Sequence, residues 1–319
     1  MTDPEKKQSF VLENLAECER KQNILDEARL FHLSEWARLV AELCLTEEDA
    51  LLNLLSPGHP GDPIAIGGDV LPENRPLLRK LYRGRSLYDK LFILRTICER
   101  LPMEKWPFPW SDPAEGEFSA EGADGKIAYL QNTYTDAAYL HLSREVAHPR
   151  AVYFDRFSDV CEEVYSGLCQ YGILPVRHTE GGKLPRFYDM LDKYDLHITA
   201  VCHIPKREAD RTVYTGFGLI SKTLPPLSRL LATHRDTWKL ELSVPTDVVL
   251  SDLLAAADIC RLKLSDIDTH RSQDENETAI ESFHLTFDLP QGSDAATFMA
   301  YLSMEVPRAG VPGFYRMVK

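Results

Sequence analysis

A hydroxyl, a guanidinium and two imidazoles stand near strand ends in the middle of this 319-residue chain. Thr215 lies in VYTGFGLISK, where Val213, Thr215, Phe217 and Leu219 share one face of an alternating strand and Tyr214, Gly216, Gly218 and Ile220 share the other. A threonine hydroxyl beside a cleft can give or take a proton, and the two glycines clear side chains from around it. The same pattern also suits a plain β-branched strand residue. Arg177, His178 and Thr179 follow the apolar run YGILPV. They leave the C-terminal end of a strand, where α/β sheets hold ligands, and a planar cation there suits a carboxylate. His197, Cys202 and His203 are metal-ligand types. Adjacent residues on a strand point to opposite faces, so no metal is expected. Arg75, Arg79, Arg83 and Arg85 form a basic stripe that reads either as a carboxylate or acidic-partner site or as a solvated helix face.

The elements that must position these groups change character along the chain. Residues 1–110 read as helical. Between Ile24 and Cys44, apolar Leu25, Ala28, Trp36, Leu39, Val40 and Leu43 recur at helical spacing, and Thr46 with the acids after it reads as a helix start. Another helix is expected over Arg75–Leu101, broken near Gly84, and Trp106, Phe108 and Trp110 are expected to pack the helical region onto the α/β lobe. Residues 111–125 are acidic, glycine-bearing and poor in apolar groups, the composition of a linker. Beyond them, strands at 126–130, 151–154, 171–176 and 196–204 alternate with helices at 135–146, 157–167 and 186–195, which implies a mainly parallel sheet. The order from Trp238 onward is βαββαβ, a split βαβ sandwich.

Composition sets the limits. The formal net charge is −13, which excludes nucleic acid or an anionic membrane as the main partner. The N-terminus MTDPEKKQSF has no apolar core of a signal peptide and no run reaches membrane-spanning length, so the expectation is a cytoplasmic protein. The seven cysteines are scattered and never form a C-x-x-C pair, so neither a disulfide framework nor a zinc ribbon is expected.

Three stretches taken together carry a resemblance: KIAYLQNTYTDAAYLHL, FSDVCEEVYSGLCQYGILPVRHTEGGKLPRFYDMLDKYDLHI and YTGFGLISK. In order and spacing they resemble the catalytic domain of prephenate dehydratases, and the segment from Trp238 to the end resembles the phenylalanine-sensing ACT domain that comes after it in that family. The resemblance implies an α-helical N-terminal region (1–110), an α/β periplasmic-binding-like single lobe (126–230) and an α+β ferredoxin-like ACT domain (236–319). It also implies a homodimer through that last domain. It places Thr133 at the first ligand-binding turn, Thr215 at the threonine of the Thr-Arg-Phe motif, and Asp268 and Thr269 where the ACT domain has Glu-Ser. No cofactor is implied, and the ligand would be an aromatic amino acid or a prephenate-like dianion.

This chain departs from the family where the chemistry is carried. Gly216 stands where the family has the motif arginine, and Val176 and Arg177 follow Pro175 in place of an Asn-Ser pair. Thr215 comes so soon after Pro175 that the second catalytic lobe has no room. The turn Pro245–Leu250 lacks the family's glycine. Losing the arginine removes a charge-assisted anchor of about 2–4 kcal/mol. Losing a lobe removes walls whose positioning is worth roughly 7–11 kcal/mol. The expectation is a degenerate relative with a regulatory, ligand-binding or partner-binding role in aromatic amino acid metabolism. The alternative is an active dehydratase, a carbon–oxygen lyase, whose cleft is rebuilt by the helical region, with or without a chorismate-mutase-like activity there.

Overall fold

The computed structural model describes residues 3–46, 82, 84–101, 125–178, 182–208, 211–224, 238–273, 279–306 and 308–318. They fall into two compact units, one helical and N-terminal, the other running from residue 125 onward.

In the helical unit, α1 (Asp3–Thr46) packs on α2 (Leu87–Cys98). Ser86 caps α2 by accepting a hydrogen bond from the amide of Asp89 at 3.2 Å. Gly84, at φ +79°, makes the expected break before it. The buried stripe of α1 is Leu33, Ala37, Val40, Ala41 and Cys44. Leu25 and Leu39, expected inside, are exposed: Leu25 lies N-terminal to the buried stretch, and Leu39 stands on the opposite face of α1 from Ala37, Val40 and Ala41. Thr46 is the last residue of α1, and the helix expected to start with the acids after it lies outside the described residues. The same is true of Arg75, Arg79, Arg83, the tryptophan cluster at 106–110 and the acidic segment 111–124.

The second unit is built on one continuous sheet. Its strands are β1 (Lys126–Leu130), β2 (Arg150–Phe154), β3 (Tyr171–His178), the short β4 (Gly182–Lys183), β5 (His197–Glu208), β6 (Arg211–Ser221), β7 (Trp238–Pro245), β8 (Lys263–Gln273), β9 (Ala279–Leu289) and β10 (Gly310–Val318). The order is β2-β1-β3-β6-β5-β10-β7-β9-β8, with β4 beside β3. Helices α3 (Thr133–Leu142), α4 (Phe157–Tyr165) and α5 (Pro185–Tyr194) serve the first half, and α6 (Leu250–Ile259) and α7 (Ala295–Glu305) the second. The sheet is mixed and not mainly parallel: β1–β2, β1–β3 and β5–β10 are parallel, and the remaining pairs are antiparallel. The cause is the close succession of β5 and β6, which leaves no crossover helix and forces a hairpin. The last four strands take the order β10-β7-β9-β8, the pairing of a split βαβ unit. Its end strand β10 also pairs with β5, which joins the two halves.

Two apolar layers sandwich the first half. On the α3 side, Ala138 and Leu142 pack with Ile173, Ala200, Cys202, Ile204, Phe217 and Leu219. On the α4–α5 side, Val160, Cys161, Val164, Tyr188 and Leu191 pack with Leu174, Val176, Ile198, Ile220 and Tyr315.

Candidate functional site

Thr215 pairs across β6 with His178 on one side and Ile204 on the other. Cross-strand partners share a face, so Thr215 and His178 lie on the α3 side, at the end of that apolar layer. Thr133 opens α3 and is exposed. The residue before it, Asn132, caps the helix by accepting from the amides of Tyr134 at 3.0 Å and Thr135 at 3.1 Å, so the shortened turn after β1 is a helix cap.

Arg177 faces the other way. In plain antiparallel register, Pro175 opposite Phe217 would set Arg177 opposite Thr215. A bulge at Val176 shifts the register, so Arg177 pairs with Gly216. A Cβ at Gly216 would lie 3.2 Å from Arg177 Cβ and 3.3 Å from His203 Cδ2, and one at Gly218 would lie 3.0 Å from Val176 Cγ1. The two glycines are therefore the space that the bulge and its neighbours occupy. They do not clear room around Thr215. Arg177 and Thr215 look to opposite faces and cannot grip one small ligand together.

On its own face Arg177 pairs with Asp266 of β8. Those strands are six spacings apart in the sheet order, about 29 Å if the sheet were flat. The sheet must curl until β3 and β4 meet β8. Other contacts report the same closure. His270 of β8 meets Asp189 of α5 at 2.8 Å, and Asp268 Oδ2 sits 3.5 Å from where a Cβ would stand on Gly182. Inside the curl, Glu241 accepts hydrogen bonds from the hydroxyls of Tyr188 at 2.7 Å, Tyr315 at 2.8 Å and Thr286 at 3.5 Å, and Lys183 Nζ lies 3.8 Å from its carboxylate. Glu241, Lys183 and Thr286 are buried, as is His284, whose ring meets Tyr188 edge-on at 5.3 Å. Burial, reinforced by the Glu241 charge, raises both tyrosine hydroxyls well above the usual value, so they stay protonated donors. Burial, then Lys183 and His270, lowers His284 to about 3 and keeps it neutral.

Toward the rim of this face stand His203 and Lys239, the latter paired with Asp288. His203 keeps an exposed edge, yet burial of the rest of its ring is the largest cause lowering its pKa, ahead of the charges of Arg177 and Lys239.

Asp268 and Thr269 are both exposed on β8, and as strand neighbours they point to opposite faces. Thr179 lies outside the described residues. His197 binds the carbonyl of Val311 through Nδ1 at 2.8 Å, Cys202 turns to α3, and among the described residues no group of side chains is arranged to hold a metal. Among the described residues no helix is long and apolar enough to cross a membrane. The sequence reading missed Lys183, Tyr188, Glu241, His284 and Tyr315. Glu241 in KLELSV and His284 and Thr286 in FHLTFDL alternate with apolar residues as solvent-facing positions do, and here all three are buried.

Residues 127–207, from β1 to the end of β5, match the prephenate dehydratase family. Over that stretch, about a quarter of the chain, the sequence is similar to prephenate dehydratases. The match holds Thr133, Arg177 and His178 but stops short of β6, so Thr215, Asp268 and Thr269 lie beyond it. Similar solved structures include the prephenate dehydratase of Streptococcus mutans, 19% identical with a TM-score of 0.47, covering 61% of this chain and 99% of that one. A prephenate dehydratase from Arthrobacter aurescens in complex with L-Phe is 13% identical with a TM-score of 0.43, covering 60% and 89%. GqqA, described as a novel type of quorum quenching acylase, is 16% identical with a TM-score of 0.43, covering 60% and 94%. These scores fall below 0.5, and the likeness to the family rests on the sequence match over residues 127–207. No curated protein matches the chain.

Proposed function

We propose that this protein descends from prephenate dehydratases, has lost the dehydration step, and serves as a ligand-binding or partner-binding regulator in aromatic amino acid metabolism. In this reading residues 126–230 are the remaining catalytic lobe and residues 236–319 an ACT-like domain. The observation that carries it is the bulge at Val176. With Gly216 in place of the motif arginine and Arg177 turned to the opposite face, Thr215 has among the described residues no guanidinium beside it to anchor a substrate carboxylate. The solved relative in complex with L-Phe supports an aromatic amino acid as the first ligand to try.

The test is turnover of prephenate, followed as phenylpyruvate. The wild-type chain is expected to match the Thr215→Val variant and the uncatalysed rate within about twofold. Turnover about a hundredfold above background, abolished by Thr215→Val, overturns the proposal. A rise in unfolding temperature with phenylalanine, tyrosine or tryptophan is expected under the sensor reading.

A further inference from the structure

The curled face presents a set of groups of which Arg177 and His203 fall within the stretch matched to the family and Lys239 lies beyond it. Arg177 comes from β3, His203 from β5 and Lys239 from β7, and all three belong to the concave side of one sheet. Register fixes this: Arg177 and His203 both pair with Gly216, and Lys239 pairs with Tyr315, which packs in the layer on that side. Gly216 forms a bare floor between Arg177 and His203, within 3.2 and 3.3 Å of where its Cβ would be. Burial of part of the His203 ring, then the nearby charges of Arg177 and Lys239, keep the imidazole neutral, able to donate one hydrogen bond without adding charge. Each cation is held by a carboxylate of the C-terminal segment: Arg177 by Asp266 and Lys239 by Asp288. Those two carboxylates are about a third exposed, with side-chain exposures of 35% and 32%. Pairs at such positions exchange readily with other anions, because water already screens much of their attraction.

We infer that the rim formed by Arg177, His203 and Lys239 is a binding site for a small carboxylate, with Asp266 and Asp288 as resident carboxylates that the ligand displaces. The inference rests on the regulatory reading above and names the ligand class and the place. Arg177 is the planar fork, Lys239 the second charge and His203 the neutral donor. Release of Asp266 by the ligand would also loosen the contact that closes β3 onto β8, so occupancy and sheet closure are linked through one guanidinium.

The test uses the full chain, with phenylacetate and succinate as probes and phenethylamine as the ring-matched amine. Binding is measured by calorimetry and by the ring ¹⁵N signals of His203. Both carboxylates are expected to bind and to shift His203, while the amine does not. Arg177→Gln and Lys239→Gln should each weaken binding about tenfold. Lys193→Gln, the same charge change on an exposed part of α5, should leave it unchanged. Asp266→Asn and Asp288→Asn should tighten it by about three- to tenfold, because the competitor is gone. This last result does not depend on the arginine variant folding. Absence of any shift at His203 up to about 20 mM carboxylate in the folded wild type overturns the inference, as does weakening by Asp266→Asn. Prephenate turnover through Thr215 would overturn the regulatory reading and leave these binding results standing, so the two failures are distinguishable.

Discussion

The sharpest test of the curled sheet is the buried pair at its centre. Lys183 and Glu241 are 6% and 2% exposed, and their charged atoms stand 3.8 Å apart. At that separation, in an effective dielectric of about 20, their attraction is about 4 kcal/mol. Lys183→Met removes it and leaves the carboxylate with hydroxyl donors from Tyr188, Tyr315 and Thr286. These donors offset part of the loss, since a hydrogen bond to a charged group contributes about 1.5–3 kcal/mol. The expected cost is about 3 kcal/mol, the lower end for an orphaned buried charge. Glu241→Gln made together with Lys183→Met removes the orphan and should recover about 2 kcal/mol of it, which appears as the coupling term of a double-mutant cycle. Urea unfolding at pH 7 measures this. Near-ultraviolet circular dichroism reports locally, because Trp238 of β7 stacks on Phe314 at 4.8 Å in the same sheet. A cost below about 1 kcal/mol for Lys183→Met, or a coupling below about 0.5 kcal/mol, refutes the claim that a tightly closed charged interior joins β4 to β7.

Two further outcomes are expected. His284 titrates near 3 in the fold and near 6.5 when unfolded, so its contribution is complete above pH 6.5 and is lost as pH falls toward 3, at about 1.4 kcal/mol per unit. Between pH 6.5 and 5 the wild type should lose about 2 kcal/mol more than His284→Gln, read from urea midpoints at each pH. Gly218→Ala would bring its Cβ within 3.0 Å of Val176 and 3.3 Å of Ile198 and should cost about 1–3 kcal/mol by overpacking. At Gly84, where φ is +79° and no atom lies within 4 Å of the built Cβ, alanine should cost only about 1 kcal/mol, and equal losses would show that crowding is not why Gly218 is glycine.

The strands and helices from Lys126 to Val318 were legible because each keeps a clear period: KIAYL, YGILPV and HITAVCHI are short apolar runs, and Leu250 to Cys260 has helical spacing. The split βαβ order came from them. Three features escaped for physical reasons. How far toward its N-terminus α1 is buried depends on how far α2 reaches, which no period in α1 encodes. The cover over Glu241 depends on tyrosines 53 and 74 positions away, so an alternating strand reads as half solvated when both faces are occupied. The bulge at Val176 is one extra residue between two good strands, and alternation on either side of it looks intact.

That single residue decides which face of the sheet Arg177 serves. With regular register, Arg177 would stand beside Thr215 on the α3 face, and a carboxylate anchor would survive next to the hydroxyl even with glycine at position 216. The bulge instead sends the guanidinium to the concave side, where Asp266 takes it and the sheet curls closed around Lys183 and Glu241. A cation that would serve a substrate thereby becomes the tie between the dehydratase-like half and the C-terminal half. Under the regulatory proposal, anything that competes for Arg177 would act on the junction between the two halves. The two halves share one sheet through β5 and β10, so the junction responds as part of a packed structure and not as a loose linker.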